Sequence, residues 1–304
     1  MVTLKLSDLG PAELQNYLQH AIGPRPICLA STVDKEGNVN LSPFSFFNMF
    51  SISPPICVFS PSRRVRDNTI KHTLENIKEV PECVINVVNF DIVQQTSLSS
   101  VEYAKGMDEF LKSGLTPIAS HLVKPPRVAE SPVQFECLIK NIIPLGDNPG
   151  SGNMVIAEIK LMHINPNILD ENGKIDQEKI DLVARLGGDW YCRANAESLF
   201  KVVKPNRNIG IGVDALPASI RTSAILSGND LGQLGNVERL PDETSINLYC
   251  FQSEELQKLL LSTKNNIKKR REALHSLAKS LLNASKVEEA WKVLLSDDEL
   301  HKED

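Results

Sequence analysis

The sequence predicts a mainly β fold with helices, arranged as a β-barrel and followed by an extended arm and a helical tail. Three observations carry this reading. From residue 27 to about 165, short apolar runs rich in β-branched residues recur, broken by Gly, Pro, Asn and Asp. The stretch 27–58 has no room for the helix of ~10–15 residues that a doubly wound sheet places after nearly every strand. After about Val203 the strand pattern stops. At 304 residues, the chain is long enough for about two domains, expected as a barrel domain over 1–200 and a C-terminal extension over 201–304.

Six runs are the candidate strands: 27–33, 39–51, 55–60, 83–89, 133–145 and 154–164. DKEGN (34–38) reads as the hairpin turn between the first two, because Gly37 and Asn38 tolerate positive φ. Asp67 is placed to cap a helix in which Ile70, Leu74 and Ile77 form an apolar stripe, and Pro81 ends it. A second helical region is expected over about 92–113, carrying Tyr103, Met107 and Phe110. A third is expected over 176–186, with Ile180 and Val183 inward and Gly187 as its stop.

The segment 204–243 is rich in Gly, Pro and Asn and lacks periodicity, so it reads as an extended arm lying against the core or a second subunit. Helices are expected over about 253–300. Within them 264–275 is basic, while 296–304 is acidic; both suit a solvated helical face, with a partner-binding tail as the alternative.

A net charge of -5 provides no global positive field for a polyphosphate backbone, so nucleic acid is not an expected partner. No run approaches the ~18 apolar residues that span a bilayer, and the first twenty residues lack a basic start with an apolar segment. The expected location is cytoplasmic, with no membrane association. The six cysteines form no C-x2-C pair, and the six histidines show no H-x3-H spacing, so no metal site is expected. Cys28, Cys57, Cys83 and Cys137 sit in apolar runs as small hydrophobes.

Dinucleotide, P-loop and nucleophile-elbow motifs are absent; GIGVD (210–214) only imitates the first. SPSRRVRDNT (60–69) stands out instead, with Ser60, Ser62, Arg63, Arg64 and Arg66 between a strand and a helix start. Forked guanidinium donors, hydroxyls and helix N–H groups suit an anion, although surface arginines paired with carboxylates would look the same. SPFSFFNMFS (42–51) sets Ser42, Ser45, Asn48 and Ser51 among Phe44, Phe46, Phe47 and Phe50. A flat heteroaromatic ligand needs this mixture of apolar surface and polar edge groups; a closely packed central strand is the alternative.

The run 22–69 (IGPRPICLASTVDKEGNVNLSPFSFFNMFSISPPICVFSPSRRVRDNT) resembles the flavin reductase-like family with the FMN-binding split-barrel fold. INVVN (85–89), the DEF…GLTP stretch (108–117), VKPPRVAESPVQFEC (123–137) and RLGGDWY (185–191) extend the resemblance over about residues 10–200. It implies a β-barrel homodimer with one non-covalent FMN per subunit near the interface. Ser45, Phe46, Phe47 and Asn48 become flavin-ring contacts, partly through their backbone. Ser60, Ser62, Arg63 and Arg64 become phosphate ligands with Asp67 and Thr69 close by, and Asn89 follows a strand bordering the site. Arg185 reaches the flavin or the nicotinamide, while Gly187 and Gly188 could equally form a plain helix stop with a tight turn.

The implied reaction is hydride transfer from NADH or NADPH to bound flavin, with electrons passed to a free flavin, an oxygenase or another protein acceptor. The chemistry belongs to the cofactor, so no catalytic side chain is expected. Two alternatives stand: an FMN-binding electron carrier or interaction protein, favoured by the long C-terminal extension, and an oxidase of the pyridoxamine-phosphate type, which no segment specifically favours. The stretch from 211 to 236 looks like an extension found in one subgroup of the family, with no function attached to it.

Overall fold

The computed structural model describes residues 1–205 and 209–296. Asn206 to Asn208 of the expected arm, and 297–304 from the expected helical tail and acidic end, lie outside the described residues. The chain divides into two compact units, Met1–Phe200 and a second opening at Lys201.

In the first unit all six apolar runs are strands. They form β1 (Cys28–Val33), β2 (Val39–Phe44), β3 (Phe47–Ile52), β4 (Pro55–Phe59), β5 (Glu82–Val87), β6 (Val133–Pro144) and β7 (Asn153–Ile164). The run 39–51 gives two strands because the chain bends at Ser45 and Phe46. The seven form one antiparallel sheet in the order β2-β1-β5-β6-β7-β4-β3. Its two edges, β2 and β3, are consecutive in the chain with only Ser45 and Phe46 between them. Such a sheet has to curl until its ends meet, which makes a barrel that is split where the seam crosses these two residues.

The hairpin turn forms as expected: Gly37 has φ +87° and the Asp34 amide donates to the Asn38 carbonyl at 3.1 Å. Inside the barrel, Phe44, Phe59, Ile85 and Val155 pack with the four buried cysteines, all free thiols. Each fully buried side chain of this size contributes about 1.5–3 kcal/mol. Burial also pushes the Cys28 thiol well above its ordinary range.

Leu74 and Ile77 of the helix His72–Glu79 cover the same core, and Ile70, just before the helix, joins them. The expected Asp67 cap is corrected: Lys71 occupies the N-cap without a side-chain bond, because Asp67 turns back onto Thr69. The helical region over 92–113 is also corrected. It forms only Val93–Leu98 and Glu109–Ser113, after a short 3-10 turn at Phe90–Ile92. Between them Gly106 takes φ +87°, and Asp108 starts the later helix by accepting from the Phe110 amide at 2.8 Å. Phe110 is buried and Met107 exposed.

The third expected helix, 176–186, is absent. Asp181 adopts a positive φ, and Val183–Arg185 becomes a strand between Arg25–Pro26 and Tyr191–Arg193. Ile180 and Val183 are nevertheless buried. Gly187 and Gly188 form the hairpin turn, with Gly188 at φ +56°, rather than a helix stop.

In the second unit, the expected extended arm carries two helices, Ala218–Arg221 and Gly228–Gly235. Ser227 and Asp230 form a reciprocal capping box that starts the latter, and Leu216, Ile220, Leu226 and Leu234 build the unit's core. Helices then run from Glu243–Gln252, earlier than expected, through Glu254–Ser262 and Ile267–Asn283 to Val287–Leu294. The early start follows from Asp242, whose carboxylate accepts from the Ser245 amide at 2.8 Å. Trp291 lies fully buried at the centre, its indole N–H donating to the Leu234 carbonyl at 3.1 Å.

Candidate functional site

The split of the barrel places an edge strand beside the 60–69 turn. β3 pairs on one side only, with β4, in the register Phe47↔Phe59 and Asn48↔Val58. Just beyond this ladder the Ser60 amide donates to the Phe46 carbonyl at 2.9 Å. The two sequence motifs thus meet at one end of the barrel. As an edge, β3 presents alternate backbone donors and acceptors away from its neighbour.

Side chains along the edge divide. Ser45 is half-buried at the bend, and Phe47, also half-buried, packs its ring against the barrel core and leaves mainly its backbone for a ligand. Phe46, Met49 and Phe50 are exposed, by 44%, 64% and 66%, and form an apolar strip. Asn48 is exposed and its side-chain carbonyl accepts from the Met49 amide at 2.8 Å.

The turn is held by a dense set of bonds. Arg63 is tied by backbone to the β6–β7 connection: its amide donates to the Ser151 carbonyl at 2.8 Å, and its carbonyl accepts from the Gly150 amide at 3.2 Å. Its guanidinium donates to the side-chain and main-chain oxygens of Asn68, both at 2.7 Å. Arg64 donates to Thr69 Oγ1 at 2.9 Å and the Ile70 carbonyl at 2.6 Å, and pairs with Glu102 at 3.1 Å. Arg66, mostly exposed, pairs with Asp67 and Glu102. The Thr69 hydroxyl and amide, bonded to Asp67, hold its carboxyl at about 2, well below the usual carboxylate range. Asp67 and Thr69 therefore order the turn, and Asp67 brings negative charge next to it.

Three residues were not singled out from sequence. Asn68 sits at φ 57° and braces Arg63 while donating to the Asp147 carbonyl at 3.0 Å; its signal was that Asn tolerates the left-handed region. Gly152 lies so close to Ser60 that an added Cβ would stand 2.6 Å from its Oγ. Lys71 is half-buried, and burial, followed by the nearby Arg64, lowers its pKa. No pattern pointed to Gly152 or Lys71, because their roles come from long-range folding.

Asn89 and Arg185 belong to a second locus. Asn89 bridges to Leu182, and the Phe90 amide donates to the Asp181 carbonyl at 3.0 Å. Arg185 donates to the Tyr191 hydroxyl and the Gly188 carbonyl, both at 2.7 Å, and stacks over the Tyr191 ring. Phe90, Arg185, Tyr191 and Arg193 line a cleft of about 560 Å³. Asn89 is buried, and its Oδ1 has no hydrogen-bond partner. Among the described residues no hydrogen bond joins Asn89 or Arg185 to the 45–69 group.

The first locus fits FMN. A rim of guanidiniums, an ammonium and hydroxyls suits a phosphate, and the adjoining strip offers apolar surface and edge amides to a flat ring. The glycine at 152 leaves the room beside Ser60 that a Cβ would fill.

Known proteins resemble this chain in sequence and fold. Residues 22–179 match the flavin reductase like domain. An uncharacterised protein of Aquifex aeolicus is 38% identical over 179 residues, 59% of this chain and 89% of that one. The crystal structure of nitrilotriacetate monooxygenase component B from Bacillus cereus superposes with a TM-score of 0.61 at 26% identity, covering 67% of this chain and 98% of that one. A split-barrel-domain protein of Shewanella frigidimarina gives a TM-score of 0.56 at 28% identity, over 66% and 96% of the two chains. About a third of this chain thus has no counterpart in either structure.

Proposed function

The chain belongs to the flavin reductase-like family, and on that premise we propose that it is an FMN-dependent oxidoreductase drawing hydride from NADH or NADPH. The observation that carries this is the Ser60–Phe46 bond, which sets an anion-binding turn against an exposed aromatic edge, as a mononucleotide requires. Ser60, Ser62, Arg63 and Arg64 hold the phosphate, and Asp67 and Thr69 order the turn around it. Ser45, Phe46, Phe47 and Asn48 contact the ring, Phe47 mainly through its backbone.

When bound, FMN supplies hydride acceptance at its ring. The chain's part is to seat that ring against the apolar strip, exclude water from one face, and direct amides at the ring edge where negative charge grows. Asn89 and Arg185, lining or bordering the second cleft, are assigned to the nicotinamide side. No side chain is required to move a proton.

The exposed strip of Phe46, Met49, Phe50 and Ile52 supports a homodimer with the site near its interface. A free flavin or a partner protein receives the electrons; the component B name of the Bacillus cereus structure supports a protein acceptor. Six free cysteines suit a reducing compartment, and we assign the protein to the cytoplasm. Among the described residues no helix is long and apolar enough to cross a membrane, and no cluster could hold a metal.

The test is an absorbance spectrum of the purified protein followed by anaerobic NADH or NADPH. Flavin bands that bleach rapidly support the reductase and identify its donor. Bands that persist favour the second reading, an electron carrier fed by another protein. The separate core of the second unit favours this alternative, since flavin reduction does not require it. We treat 1–200 and 201–304 as two domains, and truncation after Lys201 separates the roles: unchanged NAD(P)H oxidation with lost partner binding assigns the second to interaction.

A further inference from the structure

The second unit carries a cleft of about 670 Å³ that the proposed flavin chemistry does not use. Its size lies within the ~300–1,000 Å³ typical of small-molecule sites. One wall is the first three turns of the helix Ile267–Asn283; the other is the segment following the helix Ala218–Arg221.

The lining has a definite chemistry. Lys268 and Arg271 supply two cations against one carboxylate, Glu272. Arg271 is half-buried; its Nε is closed to solvent and without a hydrogen-bond partner, so a ligand in the cleft meets this guanidinium through its terminal nitrogens. Two of the hydroxyls, by contrast, already donate within the protein. Thr222 donates to the Ala218 carbonyl at 2.7 Å and Ser276 to the Glu272 carbonyl at 2.8 Å, so each offers the cleft its lone pairs. Ser223 accepts from the amides of Ile225 and Leu226, both at 3.1 Å, and lies 2.8 Å from His275 Nδ1. With its lone pairs committed to those amides, its hydroxyl donates to the histidine. That bond holds buried His275 in place. Ile225 and Ile267 add apolar surface.

A matching ligand therefore carries an anionic group for Lys268 and Arg271, hydroxyl donors for Thr222 and Ser276, and an apolar or planar body. We propose that this cleft binds a phosphorylated, hydroxyl-bearing small molecule of mononucleotide size. Its phosphate lies against Lys268 and Arg271, and its sugar hydroxyls donate to Thr222 and Ser276.

The test is calorimetric titration of the full-length protein with AMP, adenosine and inorganic phosphate, repeated on Arg271→Gln, Lys268→Gln and, to separate the barrel site, Arg63→Ala. AMP is expected to bind, with adenosine and inorganic phosphate each at least about tenfold weaker, because each supplies only part of the match. Arg271→Gln is expected to weaken AMP about 10- to 100-fold, the loss of one charge-assisted bond, while Arg63→Ala leaves it unchanged. Far-UV circular dichroism shows whether Arg271→Gln is folded; Lys268→Gln, on the exposed rim, provides the second reading if it is not. Absence of AMP binding, equal affinity for all three ligands, equal affinity in both cleft variants, or loss of binding in Arg63→Ala alone would each overturn the proposal.

Discussion

The Ser60 amide donates to the Phe46 carbonyl across 2.9 Å, and this bond couples the 60–69 turn, the proposed phosphate site, to the seam of the barrel. Any change that shifts the turn is therefore felt at the edge strand, where the flavin ring is proposed to lie.

Arg63 is oriented by Asn68 through two bonds of 2.7 Å. Arg63→Ala is expected to weaken FMN about 10- to 100-fold, the loss of one charge-assisted phosphate bond, measured by quenching of flavin fluorescence. Unchanged affinity would return Arg63 to bracing the turn. Arg64→Ala should lower the thermal midpoint as well, because that guanidinium also ties Glu102, Thr69 and Ile70 together.

Gly152 offers a subtler probe. An alanine Cβ would stand 2.6 Å from Ser60 Oγ, and a terminal hydroxyl can rotate away at little cost in stability. Gly152→Ala is thus expected to leave the unfolding midpoint nearly unchanged while lowering FMN affinity about tenfold, the worth of one displaced hydroxyl bond. An unfolding midpoint that falls with affinity intact would show that Ser60 serves the fold rather than the ligand.

Glu136, wholly buried in β6, accepts from the amides of His121 and Leu122 at 2.9 and 2.6 Å and from the His163 ring at 2.7 Å. Burial pushes its carboxyl up, but these bonds outweigh that and hold it below its ordinary value. A depressed carboxyl stabilises the fold above its unfolded pKa of ~4.3, and that contribution is lost as pH falls through the folded value. Glu136→Gln should therefore cost about 1–3 kcal/mol in urea unfolding at neutral pH, with the gap to wild type closing below about pH 4. A gap that stays constant into acid would rule out the charge as the cause.

Trp291 fills the centre of the second unit. Trp291→Ala is expected to cost about 3–5 kcal/mol there, read as protease cleavage beyond residue 200 while the flavin spectrum of the barrel persists. Simultaneous loss of bound flavin would show that the two units unfold together.

Some of this was legible in the one-dimensional pattern. The six strand runs follow from alternating and continuous β-branched stretches, and the two motifs at 42–51 and 60–69 stood out because aromatic, hydroxyl and guanidinium groups are rarely so concentrated. The failures share a physical cause. At 176–186 the apolar spacing suited a helix, but Arg25–Pro26 and Tyr191–Arg193 offered strand partners from remote positions, and pairing outweighed local propensity. The arm looked irregular because its helices are too short to show a helical repeat of apolar residues. Ile220 and Leu234 are nevertheless buried, by helices that follow them by dozens of residues.

The strand-forming runs, the hairpin at Gly37, the buried cysteines and the two concentrated motifs at 42–51 and 60–69 were readable from the chain alone, because these depend on residue type and near-neighbour spacing. Folding was needed to place Ser45 and Phe46 at the seam, to pack Phe47 against the core, to set Asn68 as the brace of Arg63, and to bring Lys71 and Gly152 beside the turn. Among the described residues it links Asn89 and Arg185 to that group by no hydrogen bond. Closing the barrel is a long-range event, and which groups it brings within hydrogen-bond reach is set by strand order and register rather than by distance along the chain.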